Sequence, residues 1–381
     1  MKILNAIDIF SGVGGSSEAL KRYFKIISSV EMDPIIAKSY ELNHGKDHLY
    51  IGNIRDIGVD YWNNLLMNHK NKLDLLVSTP PCQGFSKHSR TKILESNDER
   101  NTLILETIRI AHITKPKFIF FENVPNIIYY KIFHTFLKKL SNIKKDGTKL
   151  LPNLPSYHIR YECVDAYDYN VPQKRKRMIL LAKRIDQFPN KDAYIRTRNV
   201  TAPIVNAPLN IWPDKIPAPT LNAYLSQFKL SLLNAGETDM NDKLHRARSL
   251  SNLNLKRIRA TPHNGGSRKN WDDSLVLDCH RKKNVSFGDV YGRMSNQEYS
   301  PTITCGCVSY SKGRFGHPTE DRAISLREAA LIQTFPYNYK FTGKLTGELY
   351  EGSFDNIATQ IGNAVPVNLA DIFFREISKY S

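Results

Sequence analysis

The sequence predicts an α/β fold built on a doubly wound, mostly parallel sheet, with a second, smaller module late in the chain. Two observations carry this expectation. Short apolar runs alternate with helix-length segments through the first half, the pattern of successive βαβ units. Several of those runs end in glycine- or proline-bearing turns, at the strand carboxyl ends where open parallel sheets bind ligands. Strands are expected at 3–10, 25–31, 73–78, 118–122 and 178–182, and helices between them at 15–23, 34–43, 102–113 and 131–140.

Beyond about residue 184 the texture changes. Six prolines fall between 188 and 219, and helical periodicity is lost. From 229 to 293 thirteen Lys or Arg stand against seven Asp or Glu, so this stretch reads as a loop-rich basic module. Helices return at 325–334 and 363–379, the last placed to pack back on the sheet. The expected units are therefore 1–185, 186–320 and 321–381.

Lys and Arg number 54 against 37 Asp and Glu, a formal charge of +17 that points to a polyanionic partner, nucleic acid before membrane. No uncharged apolar run reaches the ~18 residues of a membrane span. Asp8 interrupts the only apolar stretch near the start, so no secretory leader is expected. Five cysteines, an odd number, do not suit a disulfide scaffold, and a soluble cytoplasmic chain with reduced thiols is expected.

Five strand ends or approaches carry chemistry. The first runs through Phe10 into Ser11-Gly12-Val13-Gly14-Gly15 and a helix, where backbone can pass close to a ligand and free N–H groups are on offer. Glu31 closes the next strand, a usual place for an acid that accepts from ribose hydroxyls. Taken alone these residues equally suit an ordinary βα turn, and the third glycine of the dinucleotide pattern is missing. Cys82 follows the third strand in Ser78-Thr79-Pro80-Pro81-Cys82-Gln83, where two prolines stiffen its approach. A cysteine is commonly a small buried hydrophobe, but a polar loop after a strand favours a presented thiol. Glu122 ends the run at 118–122. Alternation along Gln173-Lys174-Arg175-Lys176-Arg177 sends Gln173, Arg175 and Arg177 to one face and both lysines to the other.

Taken together, Phe10 to Gly15, Pro80-Pro81-Cys82-Gln83, Glu122-Asn123-Val124, Gln173 to Arg177, Arg327 to Pro336 and Gln360-Ile361-Gly362-Asn363 resemble, in residues and in order, the DNA (cytosine-5) methyltransferases. The resemblance covers roughly 1–185 and 320–381. It implies a Rossmann-like, S-adenosylmethionine-dependent methyltransferase with a target-recognition domain in the middle. It implies Cys82 as nucleophile, Glu122 as acid or hydrogen-bond partner at the base, and Arg175 and Arg177 holding the ring carbonyl. The cofactor, leaving as S-adenosylhomocysteine, is expected against Phe10, Ser11, Gly12, Gly14, Gly15, Glu31, Met32, Asn53, Ile54, Pro80, Leu103, Asn363, Ala364 and Val365. Duplex DNA is expected against Gln83, Ser86, Lys87, His88, Arg90 and, in the middle module, Arg268. A flipped-out base, monomeric action and no resident metal are part of the same expectation. So is the setting of a bacterial restriction-modification system, whose endonuclease, if the system has one, would act without stable complex. The enzyme would then work in the cytoplasm, at the nucleoid.

Two positions depart from the family pattern. Asn53 stands where an Asp is usual at the adenine turn, and Asn101 where glycine is usual. Three rival readings are an RNA methyltransferase, a DNA-binding protein without activity and a nicotinamide-linked dehydrogenase. The length of the basic middle, the complete catalytic set and the missing glycine argue against them in turn. Cys279-His280, Cys305-Gly306-Cys307 and His317 lack a standard zinc spacing.

Overall fold

The structure, a computed structural model, describes residues 3–70, 72–85, 98–144, 148–185, 211–281 and 288–381. Strands β1 (Asn5–Ile9), β2 (Lys25–Glu31), β3 (Leu49–Ile51), β4 (Leu75–Ser78) and β5 (Phe118–Asn123) pair in parallel. Strand β7 (Lys176–Ile185) enters antiparallel between β5 and β6 (Ser156–Asp165). The order is β3-β2-β1-β4-β5-β7-β6, so the winding reverses between β1 and β4. That switch point opens the crevice in which a doubly wound sheet holds its ligand.

Period-two alternation builds two cores. Ala6, Leu75, Val77, Phe118, Phe120, Ile179 and Leu181 point to one face. Ile7, Ile9, Leu76, Ile119, Phe121, Met178 and Leu180 point to the other. The second face is covered by α3 (Val59–Met67), α4 (Ile104–Thr114) and α5 (Lys131–Ser141), which bury Trp62, Ile108, Phe133 and Phe136 against it. On the first face lie α1 (Gly15–Leu20), α8 (Leu326–Ile332), α9 (Phe354–Asn363) and α10 (Val367–Ser378). Phe373 and Phe374 of α10 meet Phe120 edge-on, at 5.8 and 5.0 Å between ring centres. Arg22, just beyond α1, binds Asp371 at 2.9 Å.

The five expected strands are present, β2 over its expected bounds and the other four with shifted ends. Two were not foreseen: β3 is only three residues long, and β6 reads polar along Ser156, His158, Arg160 and Glu162. The helix expected at 363–379 needs correction. Asn363 is the last residue of α9, and α10 begins at Val367 after Pro366. A proline disfavours helical backbone in the residue before it, so it separates the two helices and opens the second. Helix α2 (Pro34–His44) follows expectation, with Asp33 accepting from the N–H of Ile35 and Ile36.

The described part of 186–320 is shared between two cores. Ile211, Leu221, Leu244, Met294, Ile303 and Phe315 join the first sheet face. Ile258, Trp271, Tyr291 and Tyr310 form a separate satellite with Ala323. Arg293, fully buried, ties its strands of chain together by donating to the carbonyls of Thr261, Ile258 and His317.

Candidate active site

The reversal between β1 and β4 sets two turns side by side. After β1 the chain rises through Phe10 at φ 62° and Gly14 at φ 93°, left-handed conformations that bring the backbone sharply into α1. After β4, Thr79-Pro80-Pro81 carries the chain to Cys82. Thr79 Oγ1 donates to the carbonyl of Phe10 at 3.0 Å, locking one turn to the other. Asn123, at the end of β5, donates to Pro80 O at 3.1 Å and fixes the proline turn from its other side.

One continuous pocket runs from the glycine turn to the thiol. Phe10, Ser11, Gly12 and Gly15 form its floor, with Glu31 and the exposed Met32 at the end of β2. Asn53, Ile54, Pro80 and Leu103 continue the wall, and Asn363, Ala364 and Val365 close it from the α9–α10 junction. Gly14 lies behind the wall instead: a β-carbon there would meet His44 Nε2 at 2.6 Å. His44 is held neutral, burial dragging its pKa down to about 3, and it bonds Tyr339 Oη at 2.9 Å. Gly15 faces the last motif so closely that a β-carbon would stand 2.5 Å from Val365 O. Ile36, Thr79, Val124 and Gln360 also line the pocket and were missed. Ile36 carried a usable signal, being on the first turn of the helix after Glu31.

Glu31 receives the N–H of Gly12 at 2.9 Å and of Asp33 at 2.8 Å, one on each carboxylate oxygen. Burial pushes its pKa up, and these backbone donors act against the rise. Asn53 Oδ1 accepts from Arg55 N at 3.1 Å and caps a short 3₁₀ helix. The donor set suits a nucleoside carrying a ribose: a carboxylate for its hydroxyls, apolar Met32 and Ile36 flanking a base, and backbone at close range.

All four predicted catalytic side chains open into the same pocket. Glu122 sits at the end of β5, and Arg177 Nε lies 2.8 Å from its Oε1. Arg175 is buried and spends its terminal nitrogens on carbonyls: Nη1 to Ile303 O at 2.7 Å, Nη2 to Gly362 O at 3.0 Å and Ala364 O at 3.2 Å. Gln173 is likewise buried on that face, while Lys174 and Lys176 are exposed, as alternation requires. The Cys82 thiol is pushed above its ordinary pKa. Burial is the main cause and Glu122 adds to it, while Arg177 and Arg175 pull the other way without winning. In the enzyme alone the two guanidiniums therefore do not offset burial and Glu122.

Of the DNA candidates, Gln83 is exposed at the pocket rim. Ser86, Lys87, His88 and Arg90 lie outside the described residues. Arg268 is not among the pocket residues. It opens a 3₁₀ helix capped by Ser267, half-buried, with Nη1 enclosed and without an acceptor among the described residues. Among the described residues one trio, His317, Glu320 and Glu328, has metal-ligand spacing. Arg322 already fills the cation's role there, reaching Glu328 at 2.7 Å and Glu320 at 3.0 Å.

Comparison with known proteins identifies the family and the fold. The model of the C-5 cytosine-specific DNA methylase family matches residues 4–379. The Type II methylase M.HgiDII of Herpetosiphon aurantiacus is 32% identical over 379 residues, 98% of this chain and 95% of that protein. The Type II methyltransferase M1.HphI of Haemophilus parahaemolyticus is 28% identical, over 99% of this chain and 87% of its own length. Among solved structures, a DNA modification methyltransferase encoded within an E. coli prophage superposes with a TM-score of 0.64 at 20% identity, covering 99% of this chain and 98% of that one. The Entamoeba histolytica methyltransferase EhMeth gives 0.60 at 18%, covering 100% and 99%. With a switch-point pocket joined to a proline-stiffened thiol, and a family match from end to end, this chain belongs to the C-5 cytosine-specific DNA methylases.

Proposed function

We propose that the enzyme methylates carbon 5 of a cytosine flipped out of a specific duplex sequence, through a covalent bond from Cys82. The observation that carries this reading is the single pocket shared by Cys82, Glu122, Arg177 and the glycine turn. Bound against Glu31, Met32 and Asn53, S-adenosylmethionine supplies an electrophilic methyl group.

Carbon 5 of cytosine is a weak nucleophile until the ring is activated. Cys82 Sγ adds to carbon 6, which turns the ring into an enamine with electron density at carbon 5. The thiol must first lose its proton, which its surroundings resist in the free enzyme. A base that expels water and draws Glu122 onto ring nitrogen 3 removes one of the charges opposing the thiolate. Glu122, poised by Arg177, offsets charge developing in the ring. Arg177 is taken as the guanidinium that reaches the ring carbonyl, a reading supported by the engagement of Arg175 with three backbone carbonyls. After transfer, loss of the carbon 5 proton expels Cys82 and restores aromaticity. A base cannot reach this depth inside a stacked duplex, so it must rotate out at a cost of a few kcal/mol.

Residues 186–320 are assigned to target recognition, with Arg268 and the segment from Ser86 to Arg90 on DNA. The Type II names of the relatives support protection of host DNA within a restriction-modification system. The decisive experiment uses DNA with 5-fluorocytosine at every cytosine. Fluorine cannot leave as a cation, so a cofactor-dependent protein–DNA adduct should survive denaturing electrophoresis and map to Cys82. Cys82→Ser should give none. An adduct on Cys163, Cys279, Cys305 or Cys307 would overturn the mechanism. Bisulfite sequencing of plasmid from an expressing host gives the recognition sequence.

A further inference from the structure

Asn101 is not among the pocket residues and is 1% exposed. It belongs to a 3₁₀ helix, Glu99–Leu103, that runs directly into α4. Its carboxamide lies against Gly84, two residues after the nucleophile. Nδ2 points to Gly84 O at 3.4 Å, and a β-carbon built on Gly84 would stand 2.0 Å from Oδ1 and 2.7 Å from Cγ. Gly84 has no left-handed φ, so the backbone there would accept alanine. The three nearest atoms such a β-carbon would meet all belong to the Asn101 side chain. The cysteine turn is closed on itself by Phe85 N donating to Cys82 O at 2.9 Å, so what fixes Gly84 fixes Cys82.

The same 3₁₀ helix is held at two further points. Arg100 Nη1 donates to Gln83 Oε1, while Asp98 grips the rest of that guanidinium. Arg55 Nη2 donates to Thr102 Oγ1 and to Glu99 O at 3.2 Å, and the Arg55 N–H is the one accepted by Asn53. Leu103, at its end, lines the pocket. One short helix is thus anchored to the cofactor side through Arg55 and to the nucleophile side through Gln83 and Gly84.

We propose that Asn101 is a positioning residue for the nucleophile, its carboxamide filling the space a side chain at residue 84 would need and so setting where Cys82 stands. The proposal rests on the methyl-transfer reading above. Asn101 touches neither substrate nor reacting atom and acts through Gly84. Misplacing a reacting group by a fraction of an ångström slows chemistry without weakening a ligand that binds elsewhere in the pocket.

The test is a double-mutant cycle on the full chain, with Asn101→Gly, Gly84→Ala and the pair combined. Each protein is assayed for Tm, for S-adenosylmethionine affinity without DNA, and for the single-turnover rate of adduct formation on 5-fluorocytosine DNA. Asn101→Gly should slow adduct formation roughly ten-fold, with Tm and cofactor affinity near those of the unmodified enzyme. Gly84→Ala should be slower still. The combined variant should recover most of what Gly84→Ala lost, because the methyl then occupies the vacated space. A combined variant no faster than Gly84→Ala would overturn the proposal. So would an Asn101→Gly enzyme whose rate is unchanged, or whose loss is matched by a fall in Tm and in cofactor affinity. If the unmodified enzyme formed no adduct, the methyl-transfer reading itself would fall, an outcome separate from any in the cycle.

Discussion

Arg177 Nε lies 2.8 Å from Glu122 Oε1, and both side chains are largely enclosed beside Cys82. The pair joins neighbouring antiparallel strands, β7 and β5, near their pocket ends. Its two charges act on the thiol in opposite senses, the carboxylate against ionisation and the guanidinium for it. On the proposed mechanism, base recognition and nucleophile activation are coupled through this one ion pair.

That coupling has a pH signature. Alkylation of Cys82 by iodoacetamide, followed by mass spectrometry of its peptide, should rise with pH through a midpoint above the ordinary thiol value of ~8.5. The sign follows from burial and Glu122 both favouring the neutral thiol. Glu122→Gln removes one of those two causes, so the midpoint should fall and alkylation at pH 8 should quicken. Methyl transfer by the same variant should slow, since the ring loses its acid. An unmoved midpoint would deny the electrostatic link.

Arg175 should behave as a structural clamp. Arg175→Met leaves the carbonyls of Ile303 and Gly362 enclosed without that donor, while Ala364 O keeps the bond from Gln333 Nε2. Orphaned buried acceptors should cost about 2–4 kcal/mol in total, read by denaturant unfolding. Arg175→Lys should recover little, because one ammonium cannot span three acceptors held by a planar fork. Arg177→Lys should leave stability nearly unchanged and reduce turnover.

Much of this site was legible in the sequence, and the reason is local. Period-two runs ending in Pro80-Pro81-Cys82, Glu122-Asn123 and the glycine turn define strand ends without any long-range information. The engagement of Arg175 could not be read the same way, since its acceptors lie 128 to 189 residues along the chain. Asn101 was visible as an unusual residue, but its contact with Gly84 depends on how α4 docks. The thiol's resistance to ionisation was hidden because burial, a property of the packed whole, outweighs the two arginines that sequence order suggests. Helix α9 was missed and Asn363 assigned to the wrong helix, although Pro366 marked the break.

Asn53 offers a test on the cofactor side. Its Oδ1 caps Arg55 N as an uncharged acceptor. Asn53→Asp keeps that cap and adds charge assistance toward an adenine amine, so S-adenosylmethionine affinity should improve roughly three- to ten-fold by calorimetry. No change would place the adenine amine elsewhere.

Specificity should travel with residues 186–320. Exchanging them for those of a relative with another target should move the methylated sequence, read by bisulfite sequencing, while cofactor affinity stays within about two-fold. Methylation still at the original sequence would put base readout in the large domain.

On the proposed reading, the approach of Gly15 to Val365 also bears on when the enzyme would become active during its own synthesis. Cys82, Glu122 and the glycine turn emerge from the ribosome long before the wall made by Asn363, Ala364 and Val365. On the proposed reading, a product terminated before Asn363 would carry the thiol without the wall that holds the methyl donor beside it. Methylation would then begin only once translation has passed the residues assigned to reading a target.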